Sequence, residues 1–156
     1  MSGCDLSKRV FDQRRKYSSC TKNTVIGRSF SNIRSTAKGG ALLVSISGKE
    51  NIVRKVFSNC STSSIAGAVS CTTPNVSMNL TCFFDCFAAG MLDPDTAFHA
   101  VKIFGTLSKN NIVNFCQCTI TLCSKVNLST DEALGIWYDC VVVFQANNFT
   151  KNSMRS

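Results

Sequence analysis

Histidine is almost absent from this sequence: His99 is the only one. General-base catalysis and nucleophile activation most often use imidazole, so a Cys–His or Ser–His pair has one position to draw on. No nucleophile signature surrounds any cysteine, and His99 reads as an ordinary side chain near an element start. Long apolar runs are missing as well. The longest, such as "CVVVF" at 140–144, fall far short of the roughly 20 residues that span a bilayer, so no membrane span is expected. The first twenty residues carry charges at Asp5, Lys8, Arg9, Asp12, Arg14, Arg15 and Lys16 and therefore lack the apolar core of a secretory signal. Nothing matches a phosphate-binding glycine loop, since "KGGA" and "ISGKEN" lack its spacing and a following helix. The expectation is a protein that is not an enzyme, needs no cofactor and is not secreted.

What is abundant is cysteine, with ten in 156 residues. Without an export signal these read as free thiols that behave as small buried hydrophobes. One metal alternative exists: Cys82, Cys86, Cys116 and Cys118 supply four thiolates that could surround zinc. Their spacing argues against it, because Cys116 and Cys118 share a strand face with Ile120 and Leu122 and no C-x2-C knuckle is present. Cys4 and Cys20 are the candidates for exposed or intermolecular thiols. Five N-x-S/T sequons, at Asn59, Asn75, Asn79, Asn127 and Asn148, barely exceed chance in a chain with 13 Asn and carry no argument. Asp93 and Asp95 flank Pro94 in a turn or helix cap, and Asp131 and Glu132 read as solvated.

Positive charge is in excess and segregated. Of the net +8, residues 1–38 account for +7: Lys8, Arg9, Arg14, Arg15, Lys16, Lys22, Arg28, Arg34 and Lys38 stand against Asp5 and Asp12 alone. The stretch is also rich in Ser, Thr and Asn and poor in large apolar side chains, the composition of an arm without its own core. "KGG" at 38–40 reads as a flexible junction. Those nine cations are the candidate nucleic-acid-binding residues, since cations that neutralise phosphates release condensed counterions and bind without sequence preference. A solvated basic tail and a membrane-surface helix presenting Leu6, Val10 and Tyr17 are the alternatives.

Beyond residue 41 the apolar pattern has period two. Leu42, Val44 and Ile46 share a face, as do Val76, Met78, Leu80, Cys82 and Phe84; Cys116, Cys118, Ile120 and Leu122; and Ile136, Tyr138, Cys140, Val142 and Phe144. Asp139 interrupts the last of these strands on its opposite face. No internal repeat is evident. About eight short strands with little helix predict an all-β fold, an antiparallel jelly-roll-like sandwich or barrel, with a disordered or partly helical basic arm. The implied organisation is an arm over 1–38, a β-sandwich body over 39–147 and a tail over 148–156.

"KRVFDQRRKYSSCTK", "KGGALLVSIS" and the alternating strands through Phe144 together resemble, in architecture, the small viral coat proteins of the single jelly-roll type. That resemblance implies a capsid protein that self-assembles as a homo-oligomer, packages single-stranded RNA or other nucleic acid through the arm, and resides in the virion and host cytoplasm. The segment from "NFCQCTITL" to "GIWYD" resembles the core of plant viral movement proteins of the 30K superfamily, with Asp139 at the end of the apolar strand. A third possibility is a cysteine-rich nucleic-acid-binding accessory protein, such as a silencing suppressor.

Overall fold

Each strand pairs, in parallel and in register, with the strand that occupies the same place one turn later in the chain. In this computed structural model, described here for residues 4–5, 11–27, 29–88, 98–104, 111–121, 123, 132–137 and 140–150, the result is a β-solenoid. After β1 (Cys4–Asp5), the first coil carries β2 (Arg15–Tyr17), β3 (Lys22–Ile26), β4 (Ser29–Ser31) and β5 (Arg34–Ser35). The second carries β6 (Leu42–Ser45), β7 (Lys49–Val53), β8 (Val56–Ser58) and β9 (Ser61–Thr62), and the third β10 (Val69–Thr72), β11 (Asn75–Asn79), β12 (Cys82–Phe84) and β13 (Phe87–Ala88). These three turns are complete on four sides. Two three-strand levels follow: β14 (Phe98–Phe104), β15 (Asn111–Cys116) and β16 (Thr119–Thr121), then β17 (Glu132–Trp137), β18 (Cys140–Gln145) and β19 (Asn148–Thr150).

Four sheets form the sides. Sheet I is six-stranded, β1-β3-β7-β11-β15-β18; sheet II has the order β17-β14-β10-β6-β2; sheet III has the order β19-β16-β12-β8-β4; and sheet IV is β13-β9-β5. Equivalent residues stack along the axis. Val25 pairs with Ile52, Ile52 with Met78, Met78 with Phe115 and Phe115 with Phe144 in sheet I. Phe30, Phe57, Phe83 and Ile120 form the matching interior column in sheet III. Phe11 extends that column below Phe30 through a parallel bridge. Ring centroids in the phenylalanine column are 4.8, 4.9 and 5.0 Å apart from Phe11 to Phe83, and each stacked pair adds roughly 0.5–1.5 kcal/mol beyond its burial.

The corners recur too. Gly27, Arg54, Leu80, Gln117 and Ala146 occupy the same corner between sheets I and III, and all have φ between 51° and 54°. Left-handed backbone costs a non-glycine residue roughly 1–2 kcal/mol. The ladder offsets that cost, because each of these N–H groups from Gly27 to Gln117 donates to a carbonyl of the next coil: Val53, Asn79, Cys116 and Gln145. Asn32, Asn59 and Asp85 repeat the device at the next corner, where Asn59 Nδ2 donates to Asn32 Oδ1 at 2.8 Å. Gly40 and Gly67 stack where the chain enters sheet II. A Cβ on Gly40 would overlap the Gly67 carbonyl oxygen, and one on Gly67 the Phe87 backbone, so these positions accept no side chain.

Four expectations are corrected. The antiparallel sandwich or barrel is instead a parallel solenoid: period-two alternation reports a half-buried strand and carries no information about its partner's direction. The arm over 1–38 is, from Phe11 onward, the first coil, with β2 on β6, β3 on β7, β4 on β8 and β5 on β9. A repeat does exist, since Phe30-Ser31-Asn32 recurs as Phe57-Ser58-Asn59, 27 positions on, and as Phe83-Phe84-Asp85. The alternation also changes phase at each left-handed corner. Leu80 is therefore exposed at 41 %, Phe84 at 48 %, and the buried ring is Phe83. No helix among the described residues is long and apolar enough to cross a membrane.

Phe57 lies fully buried in the middle of its column, and Phe57→Ala should cost about 3–5 kcal/mol in denaturant unfolding. Phe84→Ser, on the outer face of the neighbouring coil, should change stability by no more than about 0.5 kcal/mol. Equal costs at the two positions would contradict the inward and outward assignment.

Candidate nucleic-acid interface

Charge in this solenoid is distributed along its axis. Among the described residues every exposed Lys or Arg lies between Arg15 and Arg54, in the first two coils. Arg15 and Lys16 come from β2, Lys22 from β3, Arg34 from β5, Lys38 from the following corner, Lys49 from β7 and Arg54 from the left-handed corner after it. They form a collar around the sides of the solenoid rather than a projecting arm. Arg14 is half-buried and holds the corner closed, donating from Nε to the Gly39 carbonyl at 3.0 Å and from its terminal nitrogen to the Lys38 carbonyl at 2.7 Å. The Arg15 guanidinium sits 4.7 Å from the Phe11 ring centroid and covers the end of the aromatic column. Of the expected binding residues, Lys8, Arg9 and Arg28 lie outside the described residues. The other six are all in the first coil.

Sequence reading missed Lys49 and Arg54, which the second coil adds to the collar. Lys22 and Lys49 are register partners, so two ammonium-bearing strands lie about 4.8 Å apart. Adjacent like charges on paired strands repel, and a bound anion relieves that repulsion. The signal was the repeat itself, because aligning the two Phe-Ser-Asn triplets superposes "KNTVIGRSFSN" on "KENIVRKVFSN". Lys55, by contrast, is fully buried. Its Nζ donates to the Ile26 carbonyl at 3.1 Å and to the Gly27 carbonyl, and it lies 5.8 Å from the Phe30 ring centroid. It is a structural cation.

Glu50 sharpens the polarity. It is the only acidic residue between Asp12 and Asp85, and it points into the solenoid with no exposed surface. Burial pushes its carboxyl up from 4.5 to about 8. Asn23, its register partner in the coil below, opposes the shift, but burial outweighs it, and the polar atoms of both side chains lie outside hydrogen-bond geometry of any partner. At neutral pH the carboxyl is therefore mostly protonated, and the collar carries no compensating negative charge between Gln13 and Phe84.

The catalytic alternatives find no assembly among the described residues. His99 belongs to β14 by its backbone, and Glu132 to β17, but their side chains lie outside the description; Asp93, Asp95, Asp131 and Asp139 lie outside it entirely. The zinc alternative is not brought together. Cys86 is in the interior beside Cys60 and Cys123, Cys118 is buried at a corner, and Cys82 and Cys116 are half-buried on outward-facing positions of sheets III and I. No group of three or more His, Cys, Asp or Glu among the described residues is arranged to hold one metal ion. Cys60, Cys71, Cys82, Cys86, Cys116, Cys118 and Cys123 form no disulfide. Cys20, expected as an exposed thiol, is disulfide-bonded.

No family model matches this chain, and neither a curated protein nor a solved structure is significantly similar to it.

The Glu50 carboxyl yields a signed pH prediction. Because the folded-state value is raised, the stability linked to this group is fully present below pH 4.5 and is lost as pH rises through 8. The loss amounts to roughly 3 kcal/mol at pH 7. Glu50→Gln should therefore melt higher than the parent at pH 8, with the difference shrinking toward pH 4. A parent whose stability rises across that range would contradict the assignment.

Proposed function

We propose that this protein is a β-solenoid binding module whose basic collar engages single-stranded nucleic acid through its phosphates. The observation that carries the reading is the confinement of all exposed described cations to the first two coils, reinforced by the stacked Lys22–Lys49 pair and the absence of any exposed acid between Gln13 and Phe84. Phosphate contacts from a collar of this kind give affinity without base readout. The coat-protein resemblance took its architecture from an antiparallel body, and the movement-protein resemblance rests on a segment ending at Asp139, outside the described residues, whereas this reading needs only the charge and its placement.

Labelled single-stranded RNA titrated with the full chain should bind with a salt slope of about −3, corresponding to about four phosphates engaged on one side of the collar. Lys22→Glu combined with Lys49→Glu should weaken binding at low salt and make the slope shallower, while far-UV circular dichroism stays unchanged. Affinity indifferent to salt, or unaffected by that pair, would overturn the reading, as would preference for a sulfated polysaccharide over RNA at equal charge.

A second reading, self-association, rests on β18. This last strand of sheet I is uncharged, and it exposes Val141 at 62 %, Val143 at 47 % and Phe144 at 50 %, the composition of an edge that pairs with another chain. Sedimentation velocity should show concentration-dependent dimers that Val141→Lys and Val143→Lys together abolish. A monomer at all concentrations would contradict it.

A further inference from the structure

Three thiols occupy one interior column. Cys60, Cys86 and Cys123 stand at the same corner of successive coils, because the registers Phe57↔Phe83 and Ser61↔Phe87 bracket the first pair and Phe84↔Thr121 fixes the second. All three are fully buried. Cys86, in the middle, is in side-chain contact with both neighbours. Cys60 Sγ also points to the Phe30 carbonyl at 3.5 Å, and Cys86 Sγ to the Phe57 carbonyl at 3.4 Å. The oxygens nearest these sulfurs are neutral backbone carbonyls that accept from the thiols at 3.3–3.5 Å, so the charged ligands the column offers are thiolates alone.

Spacing gives the column a specific capacity. Neighbouring in-register positions are about 4.8 Å apart, and a metal–thiolate bond is about 2.3 Å. Two adjacent sulfurs can therefore take one ion between them in a near-linear S–M–S arrangement with little backbone movement. Three sulfurs in a line cannot converge on one tetrahedral ion. Soft thiol ligands favour Cu(I) and zinc over hard ions, and a two-coordinate, near-linear geometry does not supply the four ligands of a tetrahedral zinc site, which leaves Cu(I).

We infer that the Cys60–Cys86–Cys123 column is a two-coordinate site for a soft monovalent cation of the Cu(I) class, with Cys86 as the shared ligand. On binding, one S–H bond breaks and its proton leaves to solvent, an S–Cu bond forms, and the neighbouring thiol donates a lone pair without ionising. The buried site thus gains one positive and one negative charge and stays neutral, and no electron is transferred. Cys86 can close the pair with Cys60 or with Cys123, so either end thiol is dispensable and the middle one is not.

The test is anaerobic titration of the reduced full chain with Cu(I) against a competing chelator, read by native mass spectrometry and by X-ray absorption at the copper edge. The site predicts one retained copper with two sulfur ligands. Cys60→Ser and Cys123→Ser should each retain it, whereas Cys86→Ser and the Cys60→Ser/Cys123→Ser double variant should lose it. Cys82→Ser with Cys116→Ser should have no effect. The proposal is overturned if the wild-type chain retains no copper, if the edge shows three or more ligands, if the double variant binds as the parent does, or if removing Cys82 and Cys116 abolishes binding. Should Cys86→Ser fail to fold, the double variant, which keeps Cys86, and the wild-type edge spectrum decide the matter.

Discussion

Parallel, in-register stacking of one coil on the next is the constraint from which the rest of this structure follows. A coil cannot bury its own apolar residues; it buries them against the coils above and below. Most apolar interior positions therefore repeat in kind, as Val25, Ile52, Met78 and Phe115 do in one column and Phe30, Phe57, Phe83 and Ile120 in another, whereas Glu50 breaks its own column between Asn23 and Val76. The same rule reaches the backbone. A left-handed residue is tolerable at Arg54 or Leu80 because its N–H continues a ladder that runs through the corner. Side-chain donors line the same corner: Lys55, Thr81, Cys118 and Asn147 each donate to a carbonyl of the preceding coil, namely Ile26, Ile52, Met78 and Phe115. Four chemically different residues do one job, satisfying a buried carbonyl that would otherwise cost about 1–3 kcal/mol.

Stacking also turns sequence position into position along an axis, and this links the fold to the proposed function. A cluster of cations early in the chain becomes a collar at one end of the solenoid. The uncharged "CVVVFQ" stretch late in the chain becomes the last strand of sheet I, with its valines exposed. Glu50 lies inside the collar's second coil, where burial keeps it neutral at the pH at which the surrounding lysines and arginines are charged. The three-cysteine column has the same origin, since a cysteine kept at one corner through successive coils must fall into line with its counterparts.

Much of the local structure was legible in the sequence. Leu42 and Val44, and likewise Val76 and Met78, face inward as their alternation predicts. The segregation of charge was equally plain. Topology was not legible, because a half-buried strand looks the same in a sandwich and in a solenoid. What could have revealed it was the spacing of Phe30, Phe57 and Phe83 and of the two Phe-Ser-Asn triplets, a repeat obscured where Asn59 gives way to Asp85 and where Phe83 pairs with Ile120 across a longer connection. Serine- and asparagine-rich composition between residues 11 and 38 suggested an arm for the same reason: in a solenoid those residues fill corners and outer faces, and the few apolar ones, Phe11, Val25, Phe30 and Ile33, suffice for one coil. Lys49 and Arg54 escaped notice as binding residues because they join the collar only once the second coil is laid on the first.

Strand direction is the point on which everything else rests, and nuclear Overhauser contacts in a labelled sample report it most directly. Parallel stacking predicts amide-to-α-proton contacts linking β3 to β7 and β7 to β11, in the registers that bring Val25 to Ile52 and Ile52 to Met78. Close α-proton to α-proton contacts should be missing between those strands. Strong contacts of that kind, with neighbouring strands in sequence joined as hairpins, would mark an antiparallel body and contradict the solenoid.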